Sequence, residues 1–332
     1  MAKTEDTTPG RAVPGGRFSR LAKFGGLGTS IASNMVVEGA SRLAKGERPS
    51  LNDLLLTPNN ARKVADQLSQ LRGAAMKMGQ LLSMDGGDFI PPELADILSR
   101  LRASAHSMPP KQLRRVLNDN WGRTWLTKFE KFEVTPMAAA SIGQVHRAKT
   151  KDGRDLAVKI QYPGVRQSID SDVDNVAMLI RLSQMVPDGV DVTPFLEEAK
   201  RQLHDEANYQ REGEYLQKFR THLADMPDFV LPEFYGDLTT ENVLAMSYMP
   251  GRSIETLADA PQEERNRVMG LLMELLVKEL FDFRLMQTDP NFANFHYDDK
   301  TGKIVLLDFG ASRDVPEELS KGYQALLKAG IA

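Results

Sequence analysis

The chain has 332 residues, 41% of them hydrophobic, with a formal net charge of −3 at neutral pH. That length can bury a large core and suggests about two domains; the near-balanced charge, without interleaved aromatic and basic residues, argues against nucleic acid as a partner. Cysteine is absent, which excludes disulfides and thiolate metal sites, and no run approaches the roughly 18 consecutive apolar residues of a membrane span.

Residues 1–16 are rich in threonine, proline and glycine and are expected to be disordered. They lack a secretory apolar region, and Glu5 and Asp6 disfavour a mitochondrial transit peptide, so a bacterial cytoplasmic protein is expected. From Phe18 to Lys45, Arg20, Lys23, Arg42 and Lys45 surround Leu21, Phe24, Ile31, Val36 and Leu43. This segment reads either as an amphipathic helix lying on an anionic membrane surface or as a helix docked on the protein body. Residues 57–102 are largely helical in pattern: Val64, Leu68, Leu71, Ala75, Met78 and Leu82 recur at three- and four-residue steps. Lys77 and Gln80, three apart, share a face beside that stripe.

Ala138-Ala139-Ala140-Ser141-Ile142-Gly143-Gln144-Val145 reads either as a helix start or as the first arm of a hairpin turning at Asp152-Gly153. The following Leu156-Ala157-Val158-Lys159-Ile160 has the composition of a strand with one cation set in it. Helical patterns then run from Val165 to Met185 and from Phe195 to about Leu223; the second carries Glu206, Asn208 and Glu212. Read as one helix, it places Glu206 and Glu212 about 240° apart, facing different partners. Val230–Gly236 and Val243–Tyr248 read as strands, Val268–Leu285 as an apolar helix and Lys303–Leu307 as a strand.

The chemistry converges near the C-terminal end, in Asp289-Pro290-Asn291-Phe292-Ala293-Asn294 followed by Asp308-Phe309-Gly310. Protein kinases place a catalytic aspartate five residues before a metal-binding asparagine, with the aspartate of D-F-G on the next hairpin. One loop thereby offers a carboxylate to the phosphoryl acceptor and an amide oxygen to Mg2+, and the second carboxylate meets the same metal. In that order Lys159 neutralises ATP phosphates, Glu212 holds Lys159, and Met246 to Gly251 form the hinge whose backbone contacts adenine, with Met246 and Tyr248 among the ATP-binding residues. The expected ATP-binding loop is Ala138, Ala139, Ala140, Ser141, Gly143 and Val145. Laid over G-x-G-x-x-G-x-V, alanines replace the first two glycines, and their Cβ atoms remove positive-φ freedom. The expectation is a stiffer loop with an altered nucleotide and metal preference.

Ala138 to His146, the K-x-G-Q run at Lys77-Met78-Gly79-Gln80, Gln287 to Phe292 and Ile160 to Val165 resemble the UbiB-like atypical kinases, also called the AarF or ADCK family, in the branch supporting coenzyme Q biosynthesis. The resemblance runs from about residue 17 to the end. It implies an α+β, bilobal protein-kinase-like fold with an N-terminal helical K-x-G-Q extension and a shortened C-terminal lobe, because only 24 residues follow Asp308. The implied divisions are 1–16 disordered, 17–129 helical extension, 130–250 N-lobe with a helical insert, and 251–332 C-lobe. Lys77 and Gln80 would fold over the active site and meet a family E-x-D motif, here Glu206-Ala207-Asn208, in which asparagine replaces aspartate. The implied activity is that of an Mg-ATP-dependent kinase or ATPase, with Asp289 acting on the acceptor and Asn294 and Asp308 holding Mg2+. The alternative is a nucleotide-switched scaffold or lipid-binding pseudokinase. Implied partners are ATP and ADP, an anionic membrane surface, coenzyme Q intermediates and other ubiquinone-biosynthesis proteins, with a cytoplasmic, peripherally membrane-associated location.

Overall fold

The computed structural model describes residues 33–37, 39–45, 107–182, 191–289 and 291–331. The expected disordered start, 1–16, and the segment carrying Lys77 and Gln80 lie outside the described residues. Helical pieces at 33–37 and 39–44 leave Val36, Val37 and Leu43 exposed. The chain divides into two compact units: Met1–Gly122, Val134–Val145 and Ile160–Ala207 make one; Arg123–Glu133, His146–Lys159 and Asn208–Ala332 make the other.

In the first unit, helix α1 (Pro110–Trp121) starts with proline, whose missing N–H costs nothing in a first turn. It stops at Gly122, whose φ of 82° suits glycine. Helices α2 (Val165–Leu182) and α3 (Thr193–Glu206) pack on each other. Ile169, Val173 and Val176 from α2, and Leu196, Ala199 and Leu203 from α3, recur at helical spacing and are buried. The polar edge of the pair carries His204–Asp170 and Lys200–Asp174 contacts at 2.9 and 2.8 Å. The alanine-rich segment forms a hairpin, not a helix start: β2 (Ala138–Ala139) pairs antiparallel with the beginning of β3 (Gly143–Thr150), Ala138 opposite Val145.

The second unit continues β3, with β1 (Phe129–Phe132) antiparallel to it. Gly153, at φ 93°, makes the turn into β4 (Asp155–Gln161). The sheet order is β1-β3-β4-β6, with β6 spanning Val243–Ser247. Alternate residues of a strand face opposite sides, and β4 is buried on both: Leu156, Val158 and Ile160 on one, Lys159 and Gln161 on the other. Helix α4 (Tyr209–His222) turns Glu212, Tyr215, Leu216 and Phe219 inward.

A second sheet orders β5 (Phe229–Val230), β10 (Lys303–Leu306), β9 (Phe295–Asp298) and β7 (Arg252–Ser253). Helix α5 (Gln262–Lys278) runs into a π-turn, Glu279–Phe283, and Arg284 at φ 50° redirects the chain into β8 (Leu285–Gln287). Strand β8 pairs antiparallel with β11 (Ser312–Asp314), and α6 (Glu317–Ile331) follows.

Three elements differ from the sequence reading. The strand expected over Val230–Gly236 ends at Val230, and Pro232 beyond it has no N–H to give a ladder. The helix expected over Val268–Leu285 begins earlier and gives way to the π-turn. The run from Phe195 is two helices broken at Ala207 and Asn208. Asn208 is extended (φ −110°, ψ 87°), and its side chain accepts from the Arg211 N–H at 3.1 Å, an N-cap that starts α4 afresh. Glu206 therefore ends one helix while Glu212 lies in the next, so the 240° argument does not apply to them.

Candidate functional site

The buried face of β4 delivers Lys159 to two carboxylates. Its ammonium is ion-paired with Glu212 and lies 2.9 Å from Asp308 Oδ2. Lys159 and Glu212 are only 6% and 3% exposed, so neither charge is tolerable without the other. Burial alone would pull the lysine pKa down; Asp308 and then Glu212 more than reverse it, and the ammonium is held charged. One ammonium does not fully compensate two carboxylates. Burial, with Asp308 adding to it, therefore pushes Glu212 upward against the pull of Lys159.

Asp308 is half-buried, two residues beyond the end of β10. Its Oδ1 accepts from the Gly310 N–H at 3.0 Å, which fixes the carboxylate while Phe309 turns into the core against Phe219, ring centroids 5.3 Å apart. On the preceding loop, Asn291 caps a 3-10 turn over Phe292–Asn294. Asn294 donates its side-chain N–H to the Asp289 carbonyl at 3.3 Å, and its own carbonyl accepts from the Leu307 N–H at 3.1 Å. These bonds close the loop and tie it to the residue before Asp308. The Asn294 side-chain oxygen and the Asp308 carboxylate are hard donors of the kind Mg2+ takes, in the small number expected when phosphates complete its shell. The residues present therefore fit that metal. Among the described residues no cluster of three or more His, Asp or Glu side chains offers a metal site made by protein alone.

In the first unit, the Ala140 N–H donates to the Gly143 carbonyl at 3.0 Å, closing the hairpin. Gly143 is buried, whereas Ala138 and Ala139 are exposed and Ala140, Ser141 and Val145 half-buried. The Ser141 hydroxyl donates to Glu206 Oε2 at 2.7 Å, so Glu206 engages the alanine hairpin itself. Met246 points into the hydrophobic core, 3% exposed. The Tyr248 N–H donates to the Asp155 carbonyl at 2.8 Å, and the Arg147 guanidinium lies 3.8 Å from its ring centre. The side chains of Met246 and Tyr248, the residues expected at the hinge, are thus occupied, and so is the Tyr248 N–H.

Three residues without an assigned role in the sequence reading hold this arrangement. Arg211 donates to the Gly310 and Ser312 carbonyls at 3.0 and 2.6 Å, anchoring the segment after Asp308 to α4. Gln287 bridges Asp289 and Asp308 through its side-chain amide. Glu279, 5% exposed in the π-turn, accepts from the Gln287 N–H at 3.3 Å and shares a small cavity with Asn294, Asp308 and Phe309. Burial pushes its carboxyl up to about 8, against a smaller downward pull from that N–H. An acid inside the run Leu275-Leu276-Val277-Lys278-Glu279-Leu280 was the available signal for Glu279. The glutamine two residues before Asp289 was the signal for Gln287.

Residues 100–332 match the model of the ABC1 atypical kinase-like domain. This chain belongs to that family. It is 43% identical over 323 residues to the atypical kinase COQ8, mitochondrial, of Saccharomyces cerevisiae, covering 97% of this chain and 64% of that one. With the atypical kinase COQ8B, mitochondrial, of Danio rerio it shares 40% identity over 331 residues, 98% of this chain and 53% of the relative. Among solved structures, that of Rv3197 with erythromycin, from Mycobacterium tuberculosis, superposes with a TM-score of 0.54 at 30% identity. It covers 80% of this chain and 72% of Rv3197. The ABC1 member therefore has the kinase-like α+β fold, and it spans between about half and two thirds of the length of these curated relatives.

Proposed function

We propose that this chain binds ATP with Mg2+ and acts as an atypical kinase or ATPase supporting ubiquinone (coenzyme Q) biosynthesis. The observation that carries the reading is the assembly of Lys159, Glu212 and Asp308, with Asn294 and Asp289 on the loop bonded to the strand leading into Asp308. In this reading Lys159 neutralises the α/β-phosphates while Glu212 keeps it aimed. Asn294 and Asp308 hold Mg2+, which when bound spreads the charge developing on the transferred phosphoryl group. Asp289 orients or deprotonates the acceptor, either water or a hydroxyl-bearing small molecule. Backbone at Met246 to Tyr248 serves adenine, and the alanine hairpin takes the place of a glycine-rich phosphate loop. Glu206, bonded to Ser141, and Asn208, capping the helix that bears Glu212, belong to its regulation together with Lys77 and Gln80. The COQ8 names of the relatives support the coenzyme Q assignment.

We place the protein in the cytoplasm, peripherally on an anionic membrane with the other ubiquinone-biosynthesis proteins. The exposed Val36, Val37 and Leu43, flanked by Arg42 and Lys45, support that placement. No described helix is long and apolar enough to cross a membrane.

A second reading, a nucleotide-switched scaffold with little turnover, is favoured by the Asp308–Lys159 ion pair, which must loosen before both groups serve a metal nucleotide. Mg-ATP turnover, measured with and without anionic vesicles and beside Asp289→Asn, separates the readings. Turnover raised by vesicles and lost in the variant supports the enzyme. Saturable nucleotide binding without turnover supports the switch, and the absence of both refutes the nucleotide site.

A further inference from the structure

Gln287 stands two residues before Asp289, at the end of β8, and three of its polar groups are engaged. Its backbone N–H donates to Glu279 Oε2 at 3.3 Å. Its side-chain Oε1 accepts from the backbone N–H of Asp289, and its Nε2 donates to the backbone carbonyl of Asp308 at 3.2 Å. The orientation of the amide is fixed by its partners, because the Asp289 N–H can only donate and the Asp308 carbonyl can only accept. One side chain thus spans the loop bearing the proposed acceptor-facing carboxylate and the strand end bearing a proposed metal ligand.

We propose that Gln287 is the positioning residue that sets Asp289 against Asp308, with Glu279 anchoring it from below. This deepens the Mg-nucleotide reading and rests on it for its consequence. Neighbouring bonds tie the same two segments further back: the Thr288 N–H and hydroxyl both donate to the Ala311 carbonyl, at 3.2 and 2.6 Å, and Ser312 lies opposite Gln287 in the β8–β11 pair. Those bonds hold the strands together, whereas the Gln287 amide touches the backbone of both aspartates. The chemistry demands a carboxamide of this length. Glutamate would accept from the Asp289 N–H and then set a carboxylate against the Asp308 carbonyl; leucine would satisfy neither group; asparagine would be about one carbon–carbon bond short. The role is distinct from catalysis, because the amide acts through the two aspartates.

The test compares wild type with Gln287→Glu and Gln287→Leu. Thermal stabilisation by ADP is titrated against Mg2+, and ADP binding is measured separately without metal. Loss of one such bond at the metal ligand is expected to raise the Mg2+ midpoint roughly tenfold in both Gln287 variants. Metal-free ADP affinity should stay within about twofold of wild type on the same scale. Midpoints in the Gln287 variants within that range would overturn the proposal, and so would equal losses of metal-free and metal-dependent binding. Amide hydrogen exchange provides a readout independent of the nucleotide reading. Gln287→Leu should lower protection of the Asp289 N–H at least about tenfold, leaving that of Leu307 N–H unchanged. If wild type shows no Mg-dependent binding, the nucleotide reading fails while this exchange measurement still decides the clamp; unchanged Asp289 protection overturns it.

Discussion

Glu279→Gln isolates one buried acid whose cost is set by pH. The folded protein pushes the Glu279 carboxyl from 4.5 up to about 8, through burial in the cavity that Asp308 also lines, with only the Gln287 N–H pulling it back. The folded state therefore keeps a proton that the unfolded chain releases. The stability linked to this group is fully present below about pH 4.5 and is lost progressively as pH rises to about 8, where the loss levels off. At about 1.4 kcal/mol for each pH unit, the whole span corresponds to roughly 5 kcal/mol, of which roughly 3 lies between pH 5.5 and 8. Glutamine cannot titrate, yet its carbonyl still accepts from the Gln287 N–H. Its extra N–H groups in this buried cavity cost about 1–3 kcal/mol where they go unpaired, equally at every pH. The diagnostic is therefore a slope and not an offset. Urea midpoints followed by circular dichroism between pH 5.5 and 9 should show the variant gaining on wild type up to about pH 8 and running parallel above it. Parallel profiles across the whole range would refute the argument that Glu279 is folded in its protonated form.

Lys159→Met leaves Glu212 and Asp308 facing each other without their cation, and should cost about 3–5 kcal/mol of stability; adding Asp308→Asn should recover part of it, and strict additivity of the two in urea melts would dissociate them. Gly213→Ala places a Cβ 2.3 Å from the Phe234 ring, so it should destabilise by about 1–3 kcal/mol despite the roughly 1 kcal/mol helix preference for alanine. In a Phe234→Leu background the same change should become neutral or favourable in thermal melts. Ala140→Gly restores backbone freedom in the hairpin closed by the Ala140 N–H to Gly143 bond. Competition binding should then show a changed ATP-to-ADP preference, and an unaltered ratio would count against the loop argument.

The site was more legible than the scaffold that holds it, for reasons visible in particular residues. Leu156-Ala157-Val158-Lys159-Ile160 declares a strand, and the kinase order of the motifs around it calls for a helix carboxylate beside the lysine, so the pair with Glu212 could be named without coordinates. The five-residue interval from Asp289 to Asn294 likewise stands out because the proposed reaction asks one loop to do two tasks. The break at Asn208 was less visible because inward-facing positions continue across it: Leu203 belongs to one helix, and Tyr209, Leu216 and Phe219 to the next. Periodicity reports which face is buried, not whether the axis is continuous. The capping chemistry of an asparagine carries that information, and at position 208 the family pattern masks it, because there the asparagine stands for an aspartate.

The same distinction explains Glu279 and Gln287. A side chain's chemical type states what it can bond, whereas its partners come from segments distant along the chain. Gln287 needs Asp308, 21 residues later, and Glu279 acquires its raised pKa only when the π-turn and β8 fold its carboxyl under Gln287. Local patterns specify groups that must act, because chemistry dictates their identity and spacing. Groups that position others are specified by tertiary structure, and several amino acids of similar size would satisfy the local pattern at their places. This is why the proposed reactive aspartates could be picked from the sequence and the amide between them could not.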